Sequence, residues 1–322
     1  MMAGSESNRE RESGEEVTDE ALRIGFHSLG VSKAARSPHA DRFLRWVEKK
    51  QYASMEWITR HQDRRTDPRI TMPGAHSVLS VTLPYSSAIQ SGPDSSSRSA
   101  VKIARYARGR DYHRVMRPML KTLCDFISDN GRWKTWWSVD TSPLLERDWA
   151  ELSGIGWIGK NGLVIDPEIG SWFFLGAVVT DRPYLPSAPA TDHCGNCTRC
   201  IDACPTGAII SPRTIDAGSC ISYWTIEHRG ELSETSKLHD WIFGCDICQE
   251  VCPWNTRPKR KDPNIHPDLA PRPFPSDPEE IVNLSRQDWL EAFSGTPVTR
   301  AGYEGLQRNA QKIIAERNET HK

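Results

Sequence analysis

The sequence predicts an α+β fold whose composition changes abruptly past its middle. Apolar residues recur at helical spacing around 43–47, whereas apolar runs such as 77–83 are typical of buried strands. Eight of the 9 cysteines crowd into 194–252, directly after a Pro-rich stretch. With 322 residues, the chain has room for two compact domains that each have a core.

Each element is predicted from the period of its apolar residues and from the turn residues at its ends. The first half is expected to hold a disordered tail (1–19), amphipathic helices (20–60), a buried strand (Ser77–Leu83), a mobile Ser-rich loop (Ser86–Ala100), a helix (Asp111–Ser128), a short strand (Trp136–Val139), a helix starting at Ser142 and Pro143, and a strand (Ser171–Thr180). A Pro-rich linker follows at Pro183–Pro189, and Ser285 with Asp288 resembles a capping box that opens a last helix.

Charge and hydropathy exclude several classes of protein. The net charge is -1, from 41 basic and 42 acidic residues, so no overall positive field indicates nucleic-acid binding. The first twenty residues carry both signs of charge, unlike a secretory signal or a transit peptide. The longest apolar run, Trp172–Val179, is far too short to cross a bilayer. We therefore expect a soluble cytoplasmic protein without membrane contacts, whose cysteines stay reduced.

The cysteines form two motifs with the spacing of iron-sulfur ligands. Cys194, Cys197, Cys200 and Cys204 make the pattern C-x2-C-x2-C-x3-C followed by proline, with which bacterial ferredoxins bind cubane clusters. In that arrangement the cysteine before proline binds the other cluster. The first motif alone therefore implies two clusters.

The second motif has one cysteine fewer. Counting the cysteines therefore tests whether the chain can supply four ligands to each of two clusters. Cys245, Cys248 and Cys252 form it, and Cys252 precedes a proline. Cys252 then completes the cluster of Cys194, Cys197 and Cys200. Cys204 joins Cys245 and Cys248, and Cys220, the one cysteine between the motifs, fills the last position. The sequence thus predicts two [4Fe-4S] clusters with four ligands each.

Other uses of these cysteines fit less well. Structural zinc sites also use C-x-x-C pairs, but they do not need a loop of three cysteines or two Cys-Pro endings. A disulfide framework is unexpected in a chain of this length without a signal peptide. Cys124 lies among apolar residues of a predicted helix, and we expect a buried free thiol there.

The segment before the cysteines carries motifs of a known family. It has no G-x-G-x-x-G fingerprint after a predicted strand and no Walker A motif, which argues against nicotinamide, flavin and nucleotide sites of those types. The sequence resembles the epoxyqueuosine reductases over most of its length. The resemblance is carried by Arg60-His61 with Asp67–Arg69, Arg105-Tyr106 with Gly109–His113, Val139–Arg147, Gly156–Asn161, Gly170–Trp172, Ser219–Glu227 and Cys252–Asn255.

The resemblance implies a domain plan and a reaction. The plan is a tail (1–19), a nitroreductase-like cobalamin-binding catalytic domain (20–185), a ferredoxin-like domain with two [4Fe-4S] clusters (186–262), and a Pro-rich segment with a short helical C-terminus (263–322). Members of the family reduce epoxyqueuosine to queuosine at the wobble position of tRNA, with electrons passing from the clusters to cobalamin. Many members end in a further helical-repeat domain, which is shortened or missing here, so part of the tRNA surface differs.

Asp140 matches the proton donor of the family. A leaving epoxide oxygen needs a proton, and we expect Trp136 and Trp137 to give Asp140 an apolar setting that keeps it protonated. The residues alone favour Asp140 as the N-cap of the helix expected at Pro143, and the resemblance reverses that preference.

Further contacts with the corrinoid are implied by the resemblance and by nearness to the clusters. The predicted cofactor-binding residues are Arg60, Arg105, Asp140, Lys160, Ser171, Ser222, Cys245 and Asp246, with His61 and the turn at Gly244 as further candidates. The basic run Arg257–Lys261 suits contacts with the tRNA backbone, although such runs are commonly solvated loops. The expected partners are tRNA carrying epoxyqueuosine and a low-potential electron donor, and we expect a monomer.

Two rival functions remain open at this point. A reductive dehalogenase shares the layout of cobalamin with two clusters, but a twin-arginine signal is missing, since Arg9 and Arg11 are separated by Glu10. A non-catalytic electron-transfer subunit would bind iron without a corrinoid.

Overall fold

The computed structural model describes residues 13–86, 100–257 and 263–320. Its helices are α1 (Glu15–Ile24), α2 (Ala40–Glu48), α3 (Gln62–Thr66), α4 (Pro68–Thr71), α5 (Tyr112–Ser128), α6 (Glu146–Leu152), α7 (Arg199–Asp202), α8 (Ile221–Ile226), α9 (Ile247–Glu250), α10 (Pro253–Thr256), α11 (Pro278–Asn283), α12 (Arg286–Phe293) and α13 (Tyr303–Thr320). Its strands are β1 (Ser28–Lys33), β2 (Ser77–Pro84), β3 (Lys102–Ile103), β4 (Thr135–Ser138), β5 (Trp157–Ile158), β6 (Val164–Ile165), β7 (Phe173–Thr180), β8 (Ile209–Ser211), β9 (Thr214–Ile215) and β10 (Trp241–Phe243). Short 3-10 helices lie at Glu56–Thr59, Arg105–Ala107, Ala217–Ser219, Pro267–Leu269 and Pro297–Ala301.

An antiparallel sheet with the order β1-β2-β7-β4 forms the core of the first half. β2 and β7 pair along their whole length, from Ser77 opposite Thr180 to Pro84 opposite Phe173. Every residue of β2 is buried, including Ser80 and Thr82, which explains why the strand has apolar residues on both faces and not on one face alone. The predicted strands at 77–83, 136–139 and 171–180 are confirmed within two residues at each end.

Helices cover both faces of this sheet. On one face, α1 and α5 pack against the side chains of Val81, Leu83 and Val178. On the other face, Trp149 of α6 packs against Val78 and against alternate residues of β7. Since side chains alternate across a strand, each central strand contributes to both layers. The predicted helix at 111–128 is confirmed as α5, with Asp111 as its N-cap.

The cysteine-rich region consists of short elements and is joined to the first half by main-chain hydrogen bonds. β10 pairs in parallel with β3, so that Trp241 lies opposite Lys102 and Phe243 opposite Ile103. Within the cysteine-rich region, the one-turn helices α7 and α9 pack against each other. The predicted boundary near 185 therefore separates two parts of the sequence that share a small sheet.

The C-terminal helices close over this sheet. Ser285 accepts a hydrogen bond from the backbone N–H of Asp288, which confirms the predicted cap at the start of α12. The sequence predicts α12 as the last helix, but α13 follows it. Leu306, Ala310 and Ile313 of α13 are buried in a core that also contains β10.

Three predictions about the first half are wrong. α1 begins at Glu15, inside the expected tail, because Val17 and Ala21 are buried against the core. β1 lies within a segment that was predicted to be helical. The helix expected at Ser142 begins at Glu146 instead.

Some predictions fall on residues that the structure does not describe. These are the tail over 1–12, all but the two ends of the loop at 86–100, and most of the basic run at 257–261. In the described parts of the chain, no helix combines the length and the apolar character needed to cross a membrane. Cys124 is buried and unpaired, as predicted.

Candidate active site

Four predicted cysteine ligands form one group around the loop that precedes α7. The loop turns tightly, since the N–H of Cys197 donates to the carbonyl of Cys194 at 3.0 Å. The pKa of the Cys200 thiol is raised by burial and by the negative charges that Cys194, Cys252 and Cys197 acquire when they ionise. Cys252, which belongs to the second motif, therefore faces the loop of the first motif. The interleaved pattern requires a cysteine in this position.

The other four predicted ligands form a second group. Burial raises the pKa of the Cys248 thiol, and Cys245 and Cys220 raise it further by repulsion. The pKa of Cys245 is raised to about 12 by burial, with Cys220 and Cys204 adding to the effect. Cys220, which the sequence assigned only by elimination, thus lies in the group to which it was assigned.

Each of the two groups suits a cationic metal centre. Buried thiols that repel one another resist ionisation, and a positively charged metal centre removes that penalty because it binds thiolates. The preference for iron clusters over zinc rests on the loop of three cysteines and on the two Cys-Pro endings. Cys248 also interacts with Cys200, so the two groups are adjacent.

A buried polar network joins the second group to the main sheet. Ser171 accepts hydrogen bonds from Gln249 at 3.0 Å and from Asn255 at 2.9 Å. Its backbone N–H donates to Asn255 Oδ1 at 2.7 Å. Gln249 also reaches the hydroxyl of Tyr85 at 3.4 Å. The structure therefore brings Ser171 to the junction of the two halves, held by residues that flank Cys248 and Cys252.

Arg105 and Asp246 meet at the same junction. Buried Asp246 accepts the backbone N–H of Arg105 at 2.7 Å, and burial raises its pKa to about 7. The Arg105 guanidinium stacks over the ring of Trp172, 4.6 Å from its centroid. Ser222, the third predicted residue at this junction, bonds to the Cys220 thiol and lowers its pKa, against the larger effect of burial.

The remaining predicted cofactor residues lie elsewhere. Lys160 donates to the carbonyl of Gly195 at 2.7 Å, so it borders the first cysteine group and not the second. Arg60 and His61 are exposed at the turn between a 3-10 helix and α3, and His61 has a left-handed backbone with φ 56°. Arg257, at the start of the basic run, lies 3.4 Å above the ring of Trp254 and donates to Pro167 O at 2.6 Å.

An aromatic wall, which the sequence analysis did not identify as part of the site, connects the second cysteine group with Asp140. The half-buried Tyr106 lies 6.2 Å from Phe243 and 6.4 Å from Tyr112, measured between ring centroids. Burial, Asp140 and Asp246 all raise the pKa of Tyr106, which lies between the two carboxyl groups. Tyr106 and Tyr112 belong to the motifs that carried the family resemblance, and those motifs are the signal that locates them.

The side chain of Asp140 projects from a sharp turn after β4 and is 62% exposed. Its Oδ2 atom accepts a hydrogen bond from the Tyr112 hydroxyl at 2.9 Å. Burial would raise the pKa of Asp140, but its interactions with His113 and Tyr112 outweigh burial and lower the pKa. Asp140 is therefore ionised at neutral pH in this structure, contrary to the prediction.

The two explanations offered for Asp140 from its sequence neighbours are also wrong. Trp136 packs on the α6 face of the sheet and Trp137 on the opposite face, because side chains alternate along β4. The Asp140 carboxylate instead bonds to Tyr112 and lies beside His113, and these two groups lower its pKa against the effect of burial. Asp140 does not cap α6, since its carboxylate binds Tyr112 of α5 and the N-cap residue of α6 is Leu145.

His113 is the charged partner of Asp140. Its Nδ1 atom pairs with Asp111 Oδ1 at 2.9 Å, and its Nε2 atom lies 3.6 Å from Asp140 Oδ2. Burial would lower the pKa of His113, but its interactions with Asp111 and Asp140 raise it to about 9. An imidazolium that pairs with one carboxylate and faces another is protonated at neutral pH and can act as a proton donor.

A separate open cavity of about 490 Å³ lies beside α1 and β1, lined in part by Thr18, Leu29, Val31 and Leu185. It contains none of the residues discussed above. The chemistry of the chain is therefore concentrated at the junction of its two halves and not in this cavity.

Two groups of four cysteines beside an acidic residue and an aromatic wall define an iron-sulfur oxidoreductase. A model described as a 4Fe-4S double cluster binding domain matches residues 193–255, and one described as epoxyqueuosine reductase QueG matches residues 65–141. An epoxyqueuosine reductase from Cellulophaga algicola is 39% identical over 305 residues, which cover 91% of this chain and 95% of that protein. One from Xanthomonas campestris is 39% identical and covers 91% and 85% of the two chains.

Solved structures agree with these matches. A crystal structure of epoxyqueuosine reductase with an epoxyqueuosine-modified tRNA-Tyr stem loop superposes with a TM-score of 0.85 at 33% identity, over 94% of this chain and 80% of that one. A structure from Bacillus subtilis, described as having its catalytic aspartate loop swung out of the active site, gives a TM-score of 0.84 at 32% identity, with the same coverage. This chain belongs to the epoxyqueuosine reductase family.

Proposed function

We propose that this protein reduces epoxyqueuosine in tRNA to queuosine. Family membership supports the reaction, and a relative has been crystallised with an epoxyqueuosine-modified stem loop. The observation that carries the proposal is the meeting, at one junction, of a redox module with eight cysteines and an acidic residue on an aromatic wall. The reaction needs both an electron supply and a proton at the epoxide oxygen.

Two cofactors fit the residues at this junction. Cys194, Cys197, Cys200 and Cys252 would hold one [4Fe-4S] cluster, and Cys204, Cys220, Cys245 and Cys248 the other. Arg105, Ser222, Cys245 and Asp246 border the second cluster and are proposed to contact cobalamin, with Ser171 behind them. When bound, cobalamin supplies the two-electron reduction of the epoxide, and the clusters supply the electrons singly.

The residues of the chain itself deliver the proton. Two electrons and two protons convert the epoxide oxygen to water, so the C–O bond cannot break cleanly without an acid close to that oxygen. Asp140 stands at the exposed edge of the wall, where a substrate can reach it. Because its own pKa is low, it needs a proton source, and His113 supports that role with an Nε2 atom 3.6 Å away.

The proposed relay is short. His113 holds its proton at neutral pH and passes it from Nε2 to Asp140 Oδ2, and Asp140 passes it to the substrate oxygen as negative charge develops there. Solvent, which reaches the exposed Asp140 side chain, supplies the second proton. Asp111 fixes the orientation of the imidazole through Nδ1, in the way that a buried carboxylate orients a catalytic histidine. The hydroxyl of Tyr112, whose pKa is raised by burial, stays protonated and orients the Asp140 carboxylate.

Contacts with partners belong to the proposal as well. The anticodon of the tRNA is expected to present an unstacked base to the aromatic wall, a common mode of recognition for single-stranded RNA. The basic run at 257–261, of which the structure describes only Arg257, is proposed to meet the phosphate backbone. We further propose that the protein is a monomer and accepts electrons from a low-potential carrier. A cytosolic location is proposed because thiolate ligands need a reducing compartment.

Metal loading under anaerobic conditions tests the cofactor part of the proposal. The protein is reconstituted with iron, sulfide and cobalamin, desalted, and analysed for both metals. We expect about eight irons for two clusters, together with one cobalt per chain. Iron without cobalt would contradict the corrinoid mechanism and leave an electron-transfer subunit as the better account. Cys124→Ser, which alters the buried cysteine outside both groups, is the matched control and should load like the wild type.

A further inference from the structure

Glu146, at the first position of α6, makes two hydrogen bonds to the turn that carries Asp140. Its Oε1 atom accepts the hydroxyl of Ser138 at 2.6 Å and the backbone N–H of Asp140 at 2.7 Å. Glu146 lies in the Val139–Arg147 motif, in which Asp140 is the one residue with a role predicted from the sequence.

The turn that Glu146 holds has an uncommon backbone. The N–H of Thr141 donates to the carbonyl of Val139 at 2.7 Å, which closes a γ-turn with Asp140 at its apex. Asp140 has φ 58°, a conformation that costs free energy for a residue with a side chain. Strained turns persist only where the surroundings fix them, and the Glu146 carboxylate is the group that fixes the N–H at the apex.

Asp140 is thus held at two points by two different elements. Tyr112 and His113 of α5 engage its side chain, whereas Glu146 of α6 engages its backbone. The side-chain contacts set the charge of the carboxylate. The backbone contact sets where the carboxylate stands and which way it points.

We propose that Glu146 is a positioning residue that holds the Asp140 turn in the geometry required for proton delivery. The inference rests on the proposed function, because it assigns Glu146 a role through Asp140. The simpler alternative is that Glu146 only stabilises α6, as acidic residues in a first helical turn do. The two roles differ in what happens to the turn when the carboxylate is removed.

The electrostatic surroundings agree with a functional role. Burial raises the pKa of Glu146 to about 7, with Asp140 adding to the effect and Arg147 opposing it. Arg65 of α3 and Tyr112 of α5 also interact electrostatically with Glu146. Above that pKa the carboxylate is charged and accepts its two hydrogen bonds more strongly, so the turn is held more firmly as the pH rises.

Hydrogen exchange in the substrate-free holoenzyme tests the proposal directly. The readout is exchange in peptides that span 139–145, measured for Glu146→Ala, Glu146→Gln and Ser138→Ala. We expect faster exchange at the Asp140 amide in Glu146→Ala, and partial protection in Glu146→Gln, which keeps a carbonyl acceptor. Ser138→Ala keeps the bond to Asp140 and should exchange like the wild type.

Kinetics with an epoxyqueuosine stem loop complete the test. Glu146→Ala should lower kcat by about 100-fold, the scale of a misplaced catalytic group, with KM little changed. Because the pKa of Glu146 is about 7, we expect the wild-type rate to rise with pH near 7. Glu146→Gln should recover part of the rate and lose this pH dependence. Normal protection at the Asp140 amide and a normal kcat in Glu146→Ala would overturn the inference.

The proposed function is tested separately by the effect of Asp140→Asn on turnover. Full turnover in Asp140→Asn would refute the proposed proton donor even if Glu146→Ala still loosened the turn. Protection at the Asp140 amide that is independent of Glu146 would refute the positioning role even if Asp140 proved essential.

Discussion

At the scale of single residues, the charge of Asp140 is set by groups that are distant in sequence. Tyr112 lies 28 positions before it, yet donates to its carboxylate. Sequence proximity suggested Trp136 and Trp137 instead, but neighbours along a strand point to opposite faces of a sheet. The family motif predicts which residue is the acid, whereas the protonation state of Asp140 depends on His113 and required the three-dimensional arrangement.

The protonation of His113 predicts how the rate depends on pH. Because its pKa is about 9, His113 carries its proton below that pH and loses it above. The rate of epoxide reduction should therefore fall as the pH rises through about 9. In His113→Gln, kcat should fall by about 10²-fold or more, as expected for loss of an acid-base group, and the alkaline limb should disappear.

The control for this prediction is His76→Gln, which alters an exposed histidine before β2. It should keep the kcat and the alkaline limb of the wild type. If the rate of His113→Gln still falls at high pH as in the wild type, another group titrates there and His113 is not the proton donor.

At the scale of elements, the sequence predicted best the strands that are buried on both faces. β2 and β7 carry apolar residues on both faces because α5 and α6 cover opposite sides of the sheet. β1 escaped prediction because its sequence includes Gly30, where a Cβ would lie 2.1 Å from the carbonyl oxygen of Ser153. A glycine required by close packing of the backbone weakens the strand signal.

The last helix, α13, was missed for a different reason. It is polar over most of its surface, and a buried amide adds to the apolar contacts that attach it. Asn309 is fully buried and donates to the carbonyls of Thr225 at 3.0 Å and Ile242 at 2.9 Å. These bonds tie α13 to α8 and β10, and hydrophobic periodicity does not detect them.

Removal of this amide should loosen the C-terminal part. Asn309→Ala leaves two buried carbonyl groups without their donor, and each unsatisfied group costs about 1–3 kcal/mol. We expect a lower apparent unfolding temperature in anaerobic thermal scans. Asn318→Ala, at an exposed position of the same helix, is the matched control and should melt like the wild type. Equal melting of both variants would contradict the role given to Asn309.

At the scale of the whole molecule, the two halves are interleaved and not merely linked. β3 of the first half pairs with β10 of the second, and each cysteine motif places one cysteine beside the other motif. The expected grouping of the cysteines followed from their spacing, because in this pattern the Cys-Pro endings turn the chain toward the other motif. The shared sheet did not, because β3 and β10 contain only two and three residues.

Pairs of cysteine substitutions test this interleaving. Cys194→Ser with Cys252→Ser removes two ligands from one group, so the other cluster should remain and about four of eight irons should be retained. Cys194→Ser with Cys204→Ser damages both groups, and most of the iron should be lost. Iron content and gel filtration of the reconstituted variants are the measurements. Equal iron content in the two double variants would contradict the proposed pairing.

The most direct test of the proposed function is a single-turnover assay under anaerobic conditions. The reconstituted protein is mixed with a chemical reductant and an epoxyqueuosine-modified stem loop, and the nucleosides are analysed by mass spectrometry. The account predicts a product lighter by one oxygen atom, formed by the wild type and by Asp125→Asn, an exposed control, but hardly by Asp140→Asn. An unchanged stem loop, with both clusters and cobalamin bound, would contradict the assignment as an epoxyqueuosine reductase.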